Sequence, residues 1–403
     1  MDQKERNIWW GPPRKFSEKL KDRKISWLEL FYDLVYVAAI SQLTEFLAEH
    51  PNWNGLGYFF FIFSLIFWSW INGSNYHDIH GSVGIRTRYF TLLQMFVVAA
   101  VTITLPDLFE GNHQTFAIAF ACVQTIITYL WWSVGYYDPE HRRLNIFYTI
   151  CYCISLALII GSVFTNLLTA NYLWGAALFF NYLAPFIAGP GTVREFKNRG
   201  LNYVTSTSMI ERFGLFTIIV LGETILGIVH GISSLNHTTT EVWVLFMLAV
   251  LIAFLLWWVY FDMTGDSEAK PGYSNFLAIN LINIPLLASF AATGSSIRVI
   301  LHETETGEHS SARLIFALSV SIILGGIFLI TKLMKQEKEE EKVMKQLAGM
   351  VLITSIVNLS LIIFCDHMNA FTFLGIEALI LIVPVYIGTR IWVRYKIFSE
   401  DGE

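Results

Sequence analysis

The sequence predicts an all-α, polytopic transmembrane bundle of about twelve spans, and three observations carry that prediction. The first is composition: of 403 residues, 54% are hydrophobic, 15% aromatic and only 15% charged, too few charges to clothe a soluble surface. The second is a series of twelve apolar runs, at roughly 27–47, 55–76, 89–106, 114–136, 146–166, 172–189, 208–231, 241–262, 275–297, 313–332, 347–365 and 371–393. A helix rising ~1.5 Å per residue needs about 20 residues to cross the ~30 Å hydrocarbon layer, and most of these runs suffice. The third is charge bias. The segments on one side of the predicted spans hold 24 of the 27 basic residues, while the loops on the other side hold only Arg298 and Arg313, and Arg212 sits inside a span. A missed or extra helix would scramble that alternation, so both termini are expected in the cytoplasm.

Taken in order, residues 1–26 form a basic segment with eight Lys and Arg from Lys4 to Lys24 around Trp9, Trp10 and Pro12-Pro13, suited to the anionic inner face of a membrane. No short apolar region with a small-residue cleavage site precedes the first span, so no cleaved signal is expected. Spans one to six make a first transmembrane half (27–189), a cytoplasmic linker follows (190–207), then a second half (208–393) and a tail (394–403). Lys332–Gln346, with alternating Lys and Glu, reads as a solvated helical insertion. Span two closes with Phe67-Trp68-Ser69-Trp70 and span eight with Trp257-Trp258-Val259-Tyr260-Phe261-Asp262. Six spans separate the copies, which suggests a parallel 6+6 repeat, although tryptophans also gather at helix ends as interfacial belts. Pro185, Pro285 and Pro384 are candidate kinks. The four cysteines lie in or beside apolar runs and read as small hydrophobes.

The candidate functional residues are the charges at depth. Met209–Ile228 carries Glu211, Arg212 and Glu223, and a charge at mid-bilayer costs about 2.5 to 3.5 kcal/mol on the insertion scale, so it should face protein or water. Glu29 and Asp33, four residues apart, share one face of span one. Adjacent helical residues diverge by ~100°, so Arg212 is expected to meet Asp33, Asp262 or Glu29 and not Glu211. His77, Asp78, Asp262 and Asn275 fall at the same predicted depth, which would make an inner polar cluster or gate. Glu223, twelve residues beyond Glu211, lies ~18 Å deeper and is expected to be a lone buried carboxylate that binds a proton. Glu377, Gln42 and Glu45 are secondary candidates. No metal or cofactor is implied: P-loop, dinucleotide, His-Glu-x-x-His and nucleophile-elbow patterns are absent, and Gly81-Ser82-Val83-Gly84-Ile85-Arg86 lacks the aspartate of the major-facilitator signature. Nothing points to nucleic acid.

Glu29-Leu30-Phe31-Tyr32-Asp33-Leu34-Val35-Tyr36-Val37, Glu211-Arg212-Phe213-Gly214-Leu215-Phe216 with Leu221-Gly222-Glu223, and Trp257 through Asp262 together resemble the bacterial low temperature requirement protein A family. The resemblance implies a multi-pass protein of the bacterial plasma membrane linked to growth in the cold, without a substrate or a catalytic residue. Two classes of function follow as expectations. The leading one is a transporter of a small solute coupled to a proton or cation, with Glu223 as carrier. The other is an intramembrane enzyme on a lipid or lipid-linked substrate, with the His77 and carboxylate layer as acid and base. A passive channel is a third reading, and oligomeric state is left open. The bilayer and a solute, proton or cation are the expected partners.

Overall fold

In hydrocarbon every backbone N–H and C=O must be satisfied within its own segment, and the apolar runs accordingly fold as helices. The structure is a computed structural model. It describes the chain apart from residues 1–8, 16–23, 83, 140, 199, 201, 234–238, 266, 307–309, 337–340 and 401–403, and gives the backbone alone for 144, 304–306, 366 and 395–400. Much of the basic N-terminal segment, Arg199 of the predicted linker and the middle of the Lys332–Gln346 insertion therefore lie outside the described residues.

Among those residues there are twelve long helices and no strand: α1 (Trp27–Glu49), α2 (Trp53–His80), α3 (Ile85–Phe109), α4 (Gln114–Tyr137), α5 (Arg142–Ser162), α6 (Leu167–Asn198), α7 (Thr207–Ser233), α8 (Thr240–Thr264), α9 (Tyr273–Thr306), α10 (Ala312–Leu333), α11 (Glu341–Ser360) and α12 (Ala370–Glu400). All twelve contain stretches long and apolar enough to cross a membrane. Many start at a side-chain cap. Asn52, Asn166, Ser206, Thr239 and Asn369 each accept a bond from the backbone N–H three residues on, which satisfies one of the donors a helix start leaves open. Several helices outrun their apolar cores: α6 continues to Asn198 through half of the predicted linker, and α9 runs through Arg298. Arg298 and Arg313, expected in loops, are both helical. Pro185, Pro285 and Pro384 lie inside α6, α9 and α12, which continue past them.

The chain divides into two compact units, one comprising residues 1–43, 61–212 and 271–278, the other 44–60, 213–270 and 279–403. In the first, α3, α4, α5 and α6 pack against one another in chain order. Polar seams hold them: Gln124 of α4 and Asn181 of α6 exchange amide bonds at 3.2 Å, and Arg86 of α3 donates to Ser133 of α4 at 2.8 Å. Such interhelical bonds contribute about 0.6 kcal/mol each in a membrane bundle.

In the second unit, α8 packs on α12 and α10, α10 on α11, and α11 on α12. Ser355 and Asn358 of α11 donate to the carbonyls of Ser321 and Ala317 on α10 at 2.8 and 2.9 Å. Small residues bring α7 and α9 together: a Cβ built on Gly294 would lie 2.8 Å from the Thr224 Cα. With no hydrophobic force separating helix from lipid tail, such close backbone approach is what holds the pair. Arg313 is buried and pairs with Glu303 at 2.9 Å.

Candidate functional site

The first unit gathers most of the charges singled out in the sequence. On α1, Glu29, Tyr32, Asp33 and Tyr36 follow the i, i+3, i+4, i+7 spacing of one helix face, and all four are buried, while Phe31 and Leu34 on the other side are exposed. This inverts a soluble helix, with the polar stripe turned inward. It faces Trp70 and Ser69 of α2 and Arg212 of α7. Arg212 is 1% exposed and Asp33 0%.

Their geometry is a two-pronged ion pair. The Arg212 Nε donates to Asp33 Oδ2 at 3.3 Å and its Nη2 donates to Asp33 Oδ1, the fork-to-carboxylate match that makes arginine the residue for such sites. Trp70 Nε1 adds a third donor to Asp33 Oδ1 at 2.7 Å. The guanidinium carbon lies 5.4 Å from the Trp70 ring and 5.7 Å from the Tyr32 ring, so aromatic faces also stabilise the cation. Trp70 is thus a fully buried donor and not part of an interfacial belt. The Tyr32 hydroxyl donates to Tyr36 at 3.3 Å, and Tyr36 lies 3.1 Å from the Ser69 hydroxyl. Gly73 makes room for this chain: a Cβ there would sit 2.2 Å from the Tyr32 oxygen.

Glu29 has two duties. Its Oε2 accepts from the N–H and hydroxyl of Ser26, both at 2.9 Å, while the Ser26 Oγ accepts from the Glu29 N–H at 3.3 Å. That is a reciprocal capping box at the start of α1. Its other oxygen stands 3.8 Å from Arg212 Nη1, a buried nitrogen with no hydrogen-bond acceptor among the described residues.

A cleft of about 950 Å³ opens beside this cluster, lined by Arg14, Lys15, Ser26, Glu29, His77 and Arg88 among others. The buried His77 places Nε2 3.1 Å from Gln94 Oε1 and 3.3 Å from the Thr91 hydroxyl. Asp78 turns to α7 and accepts from Ser208 at 2.6 Å, a carboxylate at a helix start where the dipole favours it. Arg14 closes the end of α2: Nε and Nη2 donate to the Ile79 carbonyl at 3.1 and 3.0 Å, and Nη2 also donates to that of Asp78. The His80 carbonyl in turn accepts from the Arg14 N–H at 3.0 Å.

The remaining candidates lie elsewhere. Glu211 is exposed, on a different side of α7 from Arg212. Asn275 is half-buried and donates to the Pro271 carbonyl at 3.0 Å. In the second unit, Glu223 is half-buried. Asp262 is exposed, accepts from Trp258 Nε1 at 2.8 Å and lines a groove of about 380 Å³ with residues of α8, α11 and α12. Glu377, a secondary candidate in the sequence, is a fully buried carboxyl of that unit, at 0% exposure. Among the described residues, no three His, Cys, Asp or Glu side chains gather as a metal site.

Comparison with known proteins gives a family and one similar sequence. The profile described as "Bacterial low temperature requirement A protein (LtrA)" matches residues 24–384. The chain is 27% identical over 391 residues to "Uncharacterized protein RA0937" of Rhizobium meliloti (strain 1021), covering 93% of this chain and 91% of that protein. No solved structure matches.

Proposed function

The chain belongs to the bacterial low temperature requirement A family of multi-pass membrane proteins, and from that premise we propose that it transports a small solute coupled to a proton or cation. The observation that carries this reading is the Arg212–Asp33 pair, buried among aromatic rings in the unit whose cleft reaches Glu29 and His77. Ionisable groups within a membrane-spanning segment are costly and mark pathways more often than scaffolding.

The pair acts as a gate with two positions. Arg212 is held by Asp33 and stands 3.8 Å from Glu29, so a solute or cation that engages Asp33 frees the guanidinium to swing to Glu29 without ever being uncompensated. In this reading the cleft faces the cytoplasm across the bacterial plasma membrane, which the positive-inside bias of the sequence supports. Glu223, half-buried on α7 beyond the gate, carries the coupling proton in this reading.

The test is proton flux into proteoliposomes that hold a pH dye, driven by an imposed potential. Wild type should conduct, and folded Glu223→Gln should lose the flux. Unchanged flux in that variant would remove Glu223 from the pathway, and unchanged flux in folded Arg212→Ala would remove the gate.

A further inference from the structure

We propose that Glu377 is a proton-binding carboxylic acid enclosed in the second unit, a site separate from Glu223 and from the Arg212 pair. Glu377 lies seven residues into α12, about 10 Å along the helix from Ala370 at ~1.5 Å per residue. Phe373 and Leu374, one turn before it, and Leu381, one turn after, are fully buried on the same face. The carboxyl therefore sits in the middle of an apolar stripe, and neither of its oxygens has a hydrogen-bond partner among the described residues.

The charges of the surrounding helices whose side chains are described stand near helix ends, apart from Arg390, ten residues before the end of α12. They are Glu241 and Asp262 on α8, Arg313 and Lys332 on α10, Glu341, Lys342 and Lys345 on α11, and Arg390 and Arg394 on α12 itself. Arg313 is held by Glu303 and Lys345 by Glu341. Asp33 shows what this protein supplies to a buried carboxyl group set against a cation: a guanidinium and an indole N–H. Glu377 receives no such donor among the described residues. A neutral acid is far less costly to enclose than an ion left without donors or a counter-charge, so the resting group carries a proton. It exchanges that proton only when a path to it opens, which is the property a coupling site requires.

The full-length protein in detergent, treated with dicyclohexylcarbodiimide and mapped by mass spectrometry, tests this directly. The protonated carboxyl adds across one C=N bond of the reagent to give an O-acylisourea, which rearranges to a stable N-acylurea, so no other reactant is consumed. We expect the label on Glu377 and none at that position in Glu377→Gln. Above the midpoint of its titration the labelling should fall about tenfold per pH unit, as for a single acid, and sodium at fixed pH should not change it. Three results would overturn the proposal: no label on Glu377 while a water-soluble carbodiimide marks exposed carboxyls, labelling independent of pH, or protection by sodium, which would make the site one for a metal cation. If Glu377→Gln does not fold, the wild-type peptide map and its pH dependence decide alone.

Discussion

Replacing Asp33 with alanine removes the acceptor of three donors at once, two from Arg212 and one from Trp70. Breaking a buried pair by deleting one partner typically costs about 3 to 5 kcal/mol, because the other charge stays enclosed and uncompensated. Glu29 softens the loss here. At 3.8 Å and an effective dielectric near 20, its attraction for the guanidinium is roughly 4 kcal/mol before desolvation, so Asp33→Ala should fall near 3 kcal/mol. Arg212→Leu should cost a similar amount, leaving Asp33 with the indole alone. The double variant Asp33→Leu/Arg212→Leu removes both charges and should recover most of the loss, since apolar replacement of a buried pair is commonly neutral or stabilising. The measurement is a double-mutant cycle on unfolding free energy, by titrating SDS into mixed micelles and following helicity. A coupling of at least ~2 kcal/mol is expected. Additivity within about 0.5 kcal/mol would refute the idea that the two charges depend on each other.

Two further predictions concern packing and capping. Gly294→Ala should destabilise by about 1 to 3 kcal/mol through overpacking against the Thr224 backbone, whereas Gly222→Ala, whose Cβ meets nothing within 4 Å, should be neutral or slightly stabilising; the same SDS titration compares them. Ser26→Ala should cost ~1 kcal/mol by opening the capping box, whereas Glu29→Gln keeps the box but removes the negative charge 3.8 Å from Arg212, so it should lower global stability while leaving the first turn of α1 protected; amide hydrogen exchange over that turn separates the two.

The helices were legible because hydrocarbon thickness sets a length that composition must meet, and every apolar run in the sequence became a helix. Their ends were not, because hydrogen bonding continues past the apolar core, as in α6 to Asn198. That Arg212 meets a carboxylate other than Glu211 could be anticipated from the divergence of adjacent side chains on a helix, which left Asp33, Asp262 and Glu29 as partners without choosing among them. The capping box is readable in Ser26-Trp27-Leu28-Glu29 as the Ser-x-x-Glu pattern, and the same carboxylate also serves the ion pair. Trp70 as a donor, Gly73 as the space for Tyr32 and the deeper burial of Glu377 relative to Glu223 depend on which way a helix is turned in its bundle. In spans that are apolar on nearly every side, periodicity carries little of that orientation.

The Arg14 clasp has a consequence for how the sequence can drift. Its guanidinium bonds at the end of α2 go to the main-chain carbonyls of Asp78 and Ile79, while His80 is held twice, its carbonyl accepting from the Arg14 N–H and its ring Nδ1 lying 2.9 Å from the Arg14 carbonyl. The clasp therefore reads the course of the chain at Asp78 and Ile79 and the identity of the side chain at His80. Positions 78 and 79 can change without losing those carbonyl acceptors, whereas a change at position 80 removes the imidazole contact and a single change at position 14 removes all the guanidinium bonds together.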